Sequence, residues 1–489
     1  MSDAAAALTA VVVVLGAVAG EGLGPSPGGW SLLGGVVTGV LAALVVQGRG
    51  RMVLGLAAAG FLSAALMQRA LDGLDSPMAA LASREPSLVA TVRLLEDPRS
   101  GRWSARALAA TESGSLVAVT ARGAAAQRLR LMSAGETAVL HGRLRPLAGF
   151  ERRLRWRHAA AVLAADDLLG AAPPAAPWMR MANRLRGLVL SGARRLPGTP
   201  AALTAGLLVG DDRDLPGPVA ADFRAAGLSH LLAVSGANVA LVLALVAPAL
   251  RRVGLAGRFT GGVAIIGLFA AMTRFEPSVL RASAMAGLGV LAAYLGRPAS
   301  GRRLLALAVA GLVLVDPFLV RSLGFQLSVA ASAGILFLAG PLAARLPGPA
   351  LLRGGVAVTA AAQLGVAPIA LPAFGSLPLI AFPANLLAAP AAAGLTLWGF
   401  GSGVAGGLLE PLLPAVPGAL AVPTRVLASY LAGVASLAAR FPLAVGWGTM
   451  AGLVALSVLA LAVSRLLRRS ASGCPPRREA SPERTPPAP

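Results

Sequence analysis

The chain has 489 residues, of which 56% are hydrophobic and only 13% charged, against roughly a quarter charged in ordinary globular domains. A water-soluble chain of this length needs a charged skin that these residues do not supply, which excludes a soluble multidomain protein. All 43 basic residues are Arg, set against 21 acidic ones, and the net charge of +22 favours polyanionic partners, nucleic acid or anionic lipid headgroups. The single cysteine, Cys474, excludes an internal disulfide, a CxxC pair and a cysteine-based zinc site.

Three apolar runs open the chain, at residues 4–20, 30–47 and 52–68, each near the roughly 20 residues that cross a bilayer. The first has no Arg before its apolar stretch and is read as a retained span rather than a cleaved signal. From residue 72 to about 180 charges become frequent and no apolar run is long enough to span. Five short alternating segments appear instead, at 88–95, 103–110, 115–122, 136–144 and 156–164, separated by Gly, Ser, Pro or Asp. In the fourth, Ala138, Leu140 and Leu144 share one face while His141, Arg143 and Arg145 share the other, the period of a half-buried strand. Five strands in about 90 residues suit a small barrel of the OB type, with a sandwich left open by spacing alone.

This segment holds 15 arginines against 10 acidic residues. Arg143, Arg145, Arg152, Arg153, Arg155 and Arg157 cluster around Phe150 and Trp156. Arginines for phosphate with aromatic rings for bases are how single strands are gripped, whereas the plainer reading is a solvated charged face. Pro173, Pro174 and Pro177 mark a linker, and an Arg-studded amphipathic helix over 178–196 is predicted to lie at the membrane surface.

Apolar spans follow at 228–250, 259–272, 277–295, 304–320, 323–339 and 356–372, then a Pro-broken region at 377–409 and further runs at 424–439 and 447–466. Residues 470–489 are Pro/Arg-rich and predicted disordered. Arg49 and Arg51 assign the loop between the second and third spans to the cytoplasm, so the strand segment emerges outside. Arg251, Arg252 and Arg258, then Arg297, Arg302 and Arg303, then Arg345 and Arg353 alternate onto the cytoplasmic side in agreement. The expected fold is a polytopic α-helical membrane protein of about 10–12 transmembrane helices, with an extracytoplasmic all-β OB-like domain inserted after the first three. The expected divisions are 1–70, 71–180, 181–469 and the tail 470–489.

The most informative stretch is LLVGDDRDLPGPVAADFRAAGLSHLLAVSGANVA from Leu207. It carries an acidic turn with Asp211, Asp212 and Asp214, then His230 at a span entrance, then Ser235, Gly236 and Asn238 within the apolar run. On one helix His230 and Asn238 lie about 80° apart and Ser235 about 60° beyond, a single polar flank. Such a flank is either interhelical hydrogen-bond glue or the lining of a polar path, with Gly236 as a weak point. Arg281, Gln326, Gln363 and Asn385 also interrupt apolar runs. Arg281 either answers phosphate or pairs with Glu276, and Gln326 and Asn385 suit glue as well as lining. Pro368, Pro372, Pro378 and Pro383 suggest broken helices. A serine hydrolase with Ser235 as nucleophile and His230 as base would need a break in the helix. On one helix the two stand about 140° and about 7.5 Å apart, where roughly 3 Å is required. A transporter of a small molecule or lipid is the stronger rival.

The run from Leu207 resembles the signature of the ComEC family of competence proteins, inner channels through which bacteria import transforming single-stranded DNA. Three further blocks are similar in the family's order: EPSVLRASAMAGL from Glu276, DPFLVRSLGFQLSVAASAGI from Asp316, and QLGVAPIALPAFGSLPLIAFPANLLAAP from Gln363. PLAGFERRLRWRH keeps only a Pro, Gly, Phe order of the family's outer-domain motif. The resemblance implies a multi-pass plasma-membrane channel, not an enzyme, with no cofactor or metal. Its path or gate would draw on Asp211, Asp214, His230, Ser235, Gly236, Asn238, Arg281, Gln326 and Asn385. Its outer domain would bind DNA through Arg143, Arg145, Phe150, Arg153, Arg155, Trp156 and Arg157. Implied partners are single-stranded DNA, membrane lipids, a DNA receptor, a separate nuclease, a cytoplasmic DNA translocase and further copies of the chain. Many members have a His where this chain has Ala237 and Asn238, so that residue's role does not transfer. The HxHxDH cluster of the family's metallo-β-lactamase-like domain has no counterpart among His141, His158 and His230. The nuclease is therefore expected on another chain.

Overall fold

The computed structural model describes residues 2–446 except 25–29, 45–48, 102, 103, 233, 298, 442 and 443. The predicted span at 447–466, the tail at 470–489 and Cys474 lie outside the described residues, as does Trp103. Helices α1 (Asp3–Leu23), α2 (Trp30–Leu44) and α3 (Arg49–Asp72) open the chain, and a short α4 (Pro77–Ala82) leads into the strand segment. There, strands β1 (Ser87–Leu94), β2 (Arg99–Ser100), β3 (Ser104–Thr111), β4 (Leu116–Arg122), β5 (Thr137–Arg145) and β6 (Ala159–Ala172) form one sheet. Helix α5 (Gly123–Arg130) connects β4 to β5, and a 3-10 helix (Gly149–Arg157) connects β5 to β6.

Four of the predicted strands stand within one residue of these bounds, whereas the fifth, expected at 156–164, begins only at Ala159 after the 3-10 helix and runs on to Ala172. The alternation reflects one interior, filled by Val92, Leu94, Val117, Val119, Ala138, Leu140, Leu144, Leu163 and Leu168. The sheet order β1-β5-β6-β4-β3 closes through an added β1–β3 pairing, and β4 runs parallel to β6 while the other pairings are antiparallel. Closure leaves the long strands no free edge, the liability that open sheets must cover.

Helices α6 (Pro177–Arg194), α7 (Gly198–Val209), α8 (Gly217–Ala225), α9 (Ser229–Leu232), α10 (Gly236–Leu250), α11 (Leu255–Met272), α12 (Pro277–Tyr294) and α13 (Gly301–Val315) follow. A 3-10 turn (Pro317–Arg321) leads into α14 (Leu323–Arg345) and α15 (Ala350–Phe374). Strand β7 (Ser376–Pro378), α16 (Ala381–Leu409), α17 (Val416–Ala439) and β8 (Ala444–Gly446), which pairs with β7, complete the described chain. Seven helices among the described residues are long and apolar enough to cross a membrane: α1, α3, α11, α14, α15, α16 and α17. The 15-residue helices α2, α10 and α13 rise only about 22 Å, short of the roughly 30 Å hydrocarbon core. The fold is therefore a mostly helical, polytopic membrane architecture with one β domain.

The barrel sits over one end of the bundle. Trp156 meets Phe318 edge-on at 5.5 Å, His158 bonds Asp316 at 2.9 Å, and Arg274 reaches Asp97 at 2.8 Å. At this domain end α1, α7 and α11 finish while α10, α12 and α14 begin. At the far end Asp3 accepts from Ser300 and Arg303, and Arg251, Arg252, Arg258, Arg345 and Arg353 flank the helix ends there.

Three local expectations are corrected. The predicted span at 228–250 is two helices, because Ser235 is extended (φ −87°, ψ 154°) and α10 begins at Gly236. His230 and Asn238 therefore do not share one helical flank. Second, α6 does not offer its apolar stripe to a membrane surface. Its Val189 and Ser191 lie against Gly403 of α16, and a Cβ on Gly403 would stand 2.6 Å from the Val189 carbonyl oxygen. Third, the Pro-rich region breaks only once, at residues 375–380. Pro368, Pro372 and Pro390 are inside helices, and Pro383 occupies the first turn of α16, where no amide bond is lost.

Candidate functional site

Where barrel and bundle meet, five charged residues form a buried network. Asp97, 8% exposed, lies on the loop after β1; its Oδ1 accepts from the Ala134 amide at 2.9 Å and from Arg274 Nε at 3.0 Å. Its Oδ2 stands 2.9 Å from Arg186 Nη2, an ionic contact out of hydrogen-bond alignment. Arg186 also donates to the carbonyls of Val209 and Met272, at 2.6 and 2.8 Å, and thereby ties off the last carbonyls of α7 and α11. Asp211 takes a bidentate bond from Arg213 at 2.6 and 2.7 Å and lies 3.4 Å from Arg186.

Burial pushes the Asp97 carboxyl up, but Arg186 and Arg274 outweigh it and hold it below the usual carboxylate range. Asp211 is likewise held low, its burial outweighed by Arg213 and Arg186. Arg274 and Phe275 both have positive φ, 59° and 53°, which L residues adopt at a cost. The ion pair, a 2.7 Å bond to Asn183 and the Trp178–Phe275 edge contact hold them there. Sequence reading found Asp211 but missed Asp97, Arg186 and Arg274, whose partners are up to 177 residues away. Asp214 is exposed.

The second layer is the start of α10. Ser235 Oγ donates to Asn238 Oδ1 at 3.0 Å, and Asn238 Nδ2 donates to the Leu207 carbonyl at 2.8 Å. Asn238 is 6% exposed and pins the start of α10 to the end of α7. Gly236 faces Arg281 of α12; a Cβ there would stand 2.3 Å from Arg281 Nη2. Arg281, 9% exposed, donates from Nε to Ser328 Oγ on α14 at 2.8 Å and contacts Met285 Sδ at 3.2 Å. It makes no ion pair among the described residues, with Glu276 or any other acid. Burial pushes the Glu276 carboxyl up, against Arg99, which lowers it. His230 is exposed on α9. Gln326 donates to the Val320 carbonyl at 2.6 Å, closing the 3-10 turn, and Asn385 is half-buried in the first turn of α16.

On the barrel, the predicted Arg–aromatic cluster divides. Arg145 is neutralised by Glu151 at 2.6 Å and Arg157 by Glu96 at 2.7 Å. Trp156 is half-buried, with Phe318 at its edge and the guanidinium groups of Arg155 and Arg321 at 4.6 and 5.7 Å from its ring centre. It docks the barrel rather than standing open for a base. Phe150 is 71% exposed with Arg153 stacked at 5.0 Å, and Arg143, Arg152 and Arg153 are exposed without an ion pair among the described residues.

The competence protein family matches residues 207–470, more than half of the chain and all of the Asp211–Asn385 layer. The chain belongs to that family, the ComEC-type competence proteins. It is 28% identical over 197 residues to ComE operon protein 3 of Bacillus subtilis (strain 168), covering 40% of this chain and 25% of the relative. It is 30% identical over 204 residues to the uncharacterized protein YcaI of Escherichia coli (strain K12), covering 39% of this chain and 27% of the relative. The chain thus matches about a quarter of each of these relatives' own lengths. No solved structure matches.

Proposed function

We propose that the protein is a plasma-membrane channel for the uptake of single-stranded transforming DNA, with its barrel outside the cell as the capture module. The observation that carries this reading is the position of the barrel. The barrel, which carries the exposed Phe150 and has Arg143, Arg152 and Arg153 in no ion pair among the described residues, is held over the bundle end where α10, α12 and α14 begin. Those helix starts present the positive ends of three macrodipoles to an incoming polyanion. Membership of the competence family and the likeness to ComE operon protein 3 support the same reading.

The barrel's closed five-strand order, its parallel β4–β6 pair and the helix between β4 and β5 fit an OB-type domain over 71–180. Arginines at the far helix ends favour that side as cytoplasmic. Residues 181–469 would then be the channel, with the shorter helices completing about 10–12 crossings, and residues 1–70 its flanking helices. The partners proposed are DNA, lipid, a receptor, a nuclease, a translocase on the cytoplasmic side and further copies of the chain. Chemistry on the substrate is not proposed: Ser235 donates to Asn238, not to an imidazole.

The test is binding of fluorescent oligothymidylate to the full chain in nanodiscs of zwitterionic lipid. Affinity should fall steeply with salt, and triple replacement of Arg143, Arg152 and Arg153 by Ala should lower the log–log salt slope by about 2 to 3. Replacing Arg145 and Arg157, already spent on Glu151 and Glu96, should change it little. Absence of binding at low salt would contradict the capture role.

A further inference from the structure

Arg281 is unlike the other deeply buried arginines at the domain end. Arg186 and Arg274 are met by Asp97 and Asp211, so this fold supplies carboxylates where it buries guanidinium groups. Arg281 has the Ser328 hydroxyl and the Met285 sulfur, neither of which carries charge. Its Nη2 is turned to Gly236 at the first position of α10. No side chain caps that helix, since the Ser235 hydroxyl is committed to Asn238. The first amides of α10 thus lack a side-chain acceptor, and they carry the positive end of the helix dipole. Among the described residues no carboxylate pairs with Arg281, and the nearby Glu276 is engaged instead by the Val234 backbone. A buried cation facing a positive helix end is an arrangement that a negative group completes. Beyond this layer the packing opens. No residue of α10 after Val239, and none of α12 after Ala282, is fully buried.

We propose that Arg281, the Ser328 hydroxyl and the leading amides of α10 form an oxyanion site that takes one phosphodiester at a time. Gly236 is the residue that admits it, because any side chain there would occupy the space of the guanidinium. A DNA strand and a phospholipid headgroup both present this chemistry. The assignment to DNA rests on the uptake reading above, whereas the existence of the anion site does not.

The experiment uses the full chain with Cys474→Ser and Ser332→Cys in phosphatidylcholine nanodiscs. Ser332 lies one turn beyond Ser328 on α14, its hydroxyl donating to the Ser328 carbonyl, so a thiol there reads the potential of the site. An anionic methanethiosulfonate should react at least about tenfold faster, relative to its cationic analogue, than it does in the Arg281→Gln variant. Arg281→Lys should keep most of the preference, which separates lost charge from lost packing. A ratio indifferent to Arg281→Gln overturns the site, whether or not the protein moves DNA. Oligothymidylate should then slow the modification several-fold, in an Arg281-dependent manner, while phosphatidylglycerol at matched phosphate should not. Protection by phosphatidylglycerol alone overturns the assignment to DNA and leaves a lipid-headgroup site.

Discussion

At the scale of single residues, the controlling fact is that buried charge must be answered. Asp97 holds Arg186 and Arg274 across the boundary between barrel and bundle, and removing one partner of a buried pair costs about 3–5 kcal/mol. Asp97→Asn should lower the melting temperature of the full chain by several degrees and expose the barrel linker around Pro173 to protease. The pH dependence follows from the carboxyls' direction of shift. Both Asp97 and Asp211 are held below their ordinary value in the fold. Their contribution is fully present above about pH 4, the unfolded value, and is lost as pH falls through the lower folded value. Protease resistance of the linker should therefore be flat between pH 8 and 5 and decline below about 4. A decline between pH 7 and 5 would mean that other groups hold the barrel in place. Asp211 was legible as part of an acidic turn, but the Asp97 pairs were not. Ion pairs that join Asp97 to Arg186 and Arg274 across 89 and 177 residues leave no periodic trace, and Arg186 looked like any other arginine on an amphipathic helix.

At the scale of elements, the strands were the most legible part, since a barrel with one filled interior writes its pleat directly into the sequence. The membrane helices were legible by length, with the exceptions of the break before Gly236 and of α16, which runs unbroken from Ala381 to Leu409 where a Pro-broken region was expected. Apolar composition continues straight through residues 228–250. The break is set by tertiary contacts, the Asn238 bond to Leu207 and the Arg281 group seated against Gly236. Helix pairs elsewhere meet through glycines. A Cβ on Gly334 of α14 would lie 2.2 Å from the Ala361 carbonyl oxygen, and one on Gly365 of α15 would lie 2.4 Å from that of Ala330. In lipid, where association depends on such close backbone approach, Gly334→Leu should separate α14 from α15 and sharply reduce the folded fraction recovered from membranes. Gly340→Leu, on the same helix but facing open space, should be tolerated. Equal recovery of the two variants would show that the α14–α15 contact is not required for folding.

At the scale of the whole molecule, barrel and bundle meet through the Asp97 network, and Arg281 lies at the same end of the bundle, where α10, α12 and α14 begin. Family membership could be read from four ordered sequence blocks taken together, all within the part of the chain that the family matches, and not from any single chemically distinctive residue. Passage of DNA through this molecule is tested most directly by offering labelled transforming DNA to cells lacking the gene, and to the same cells carrying the wild-type chain. Deletion should leave the label bound outside and sensitive to added nuclease, and the wild-type chain should restore its entry. Normal internalisation of label in the deletion strain would contradict passage through this molecule.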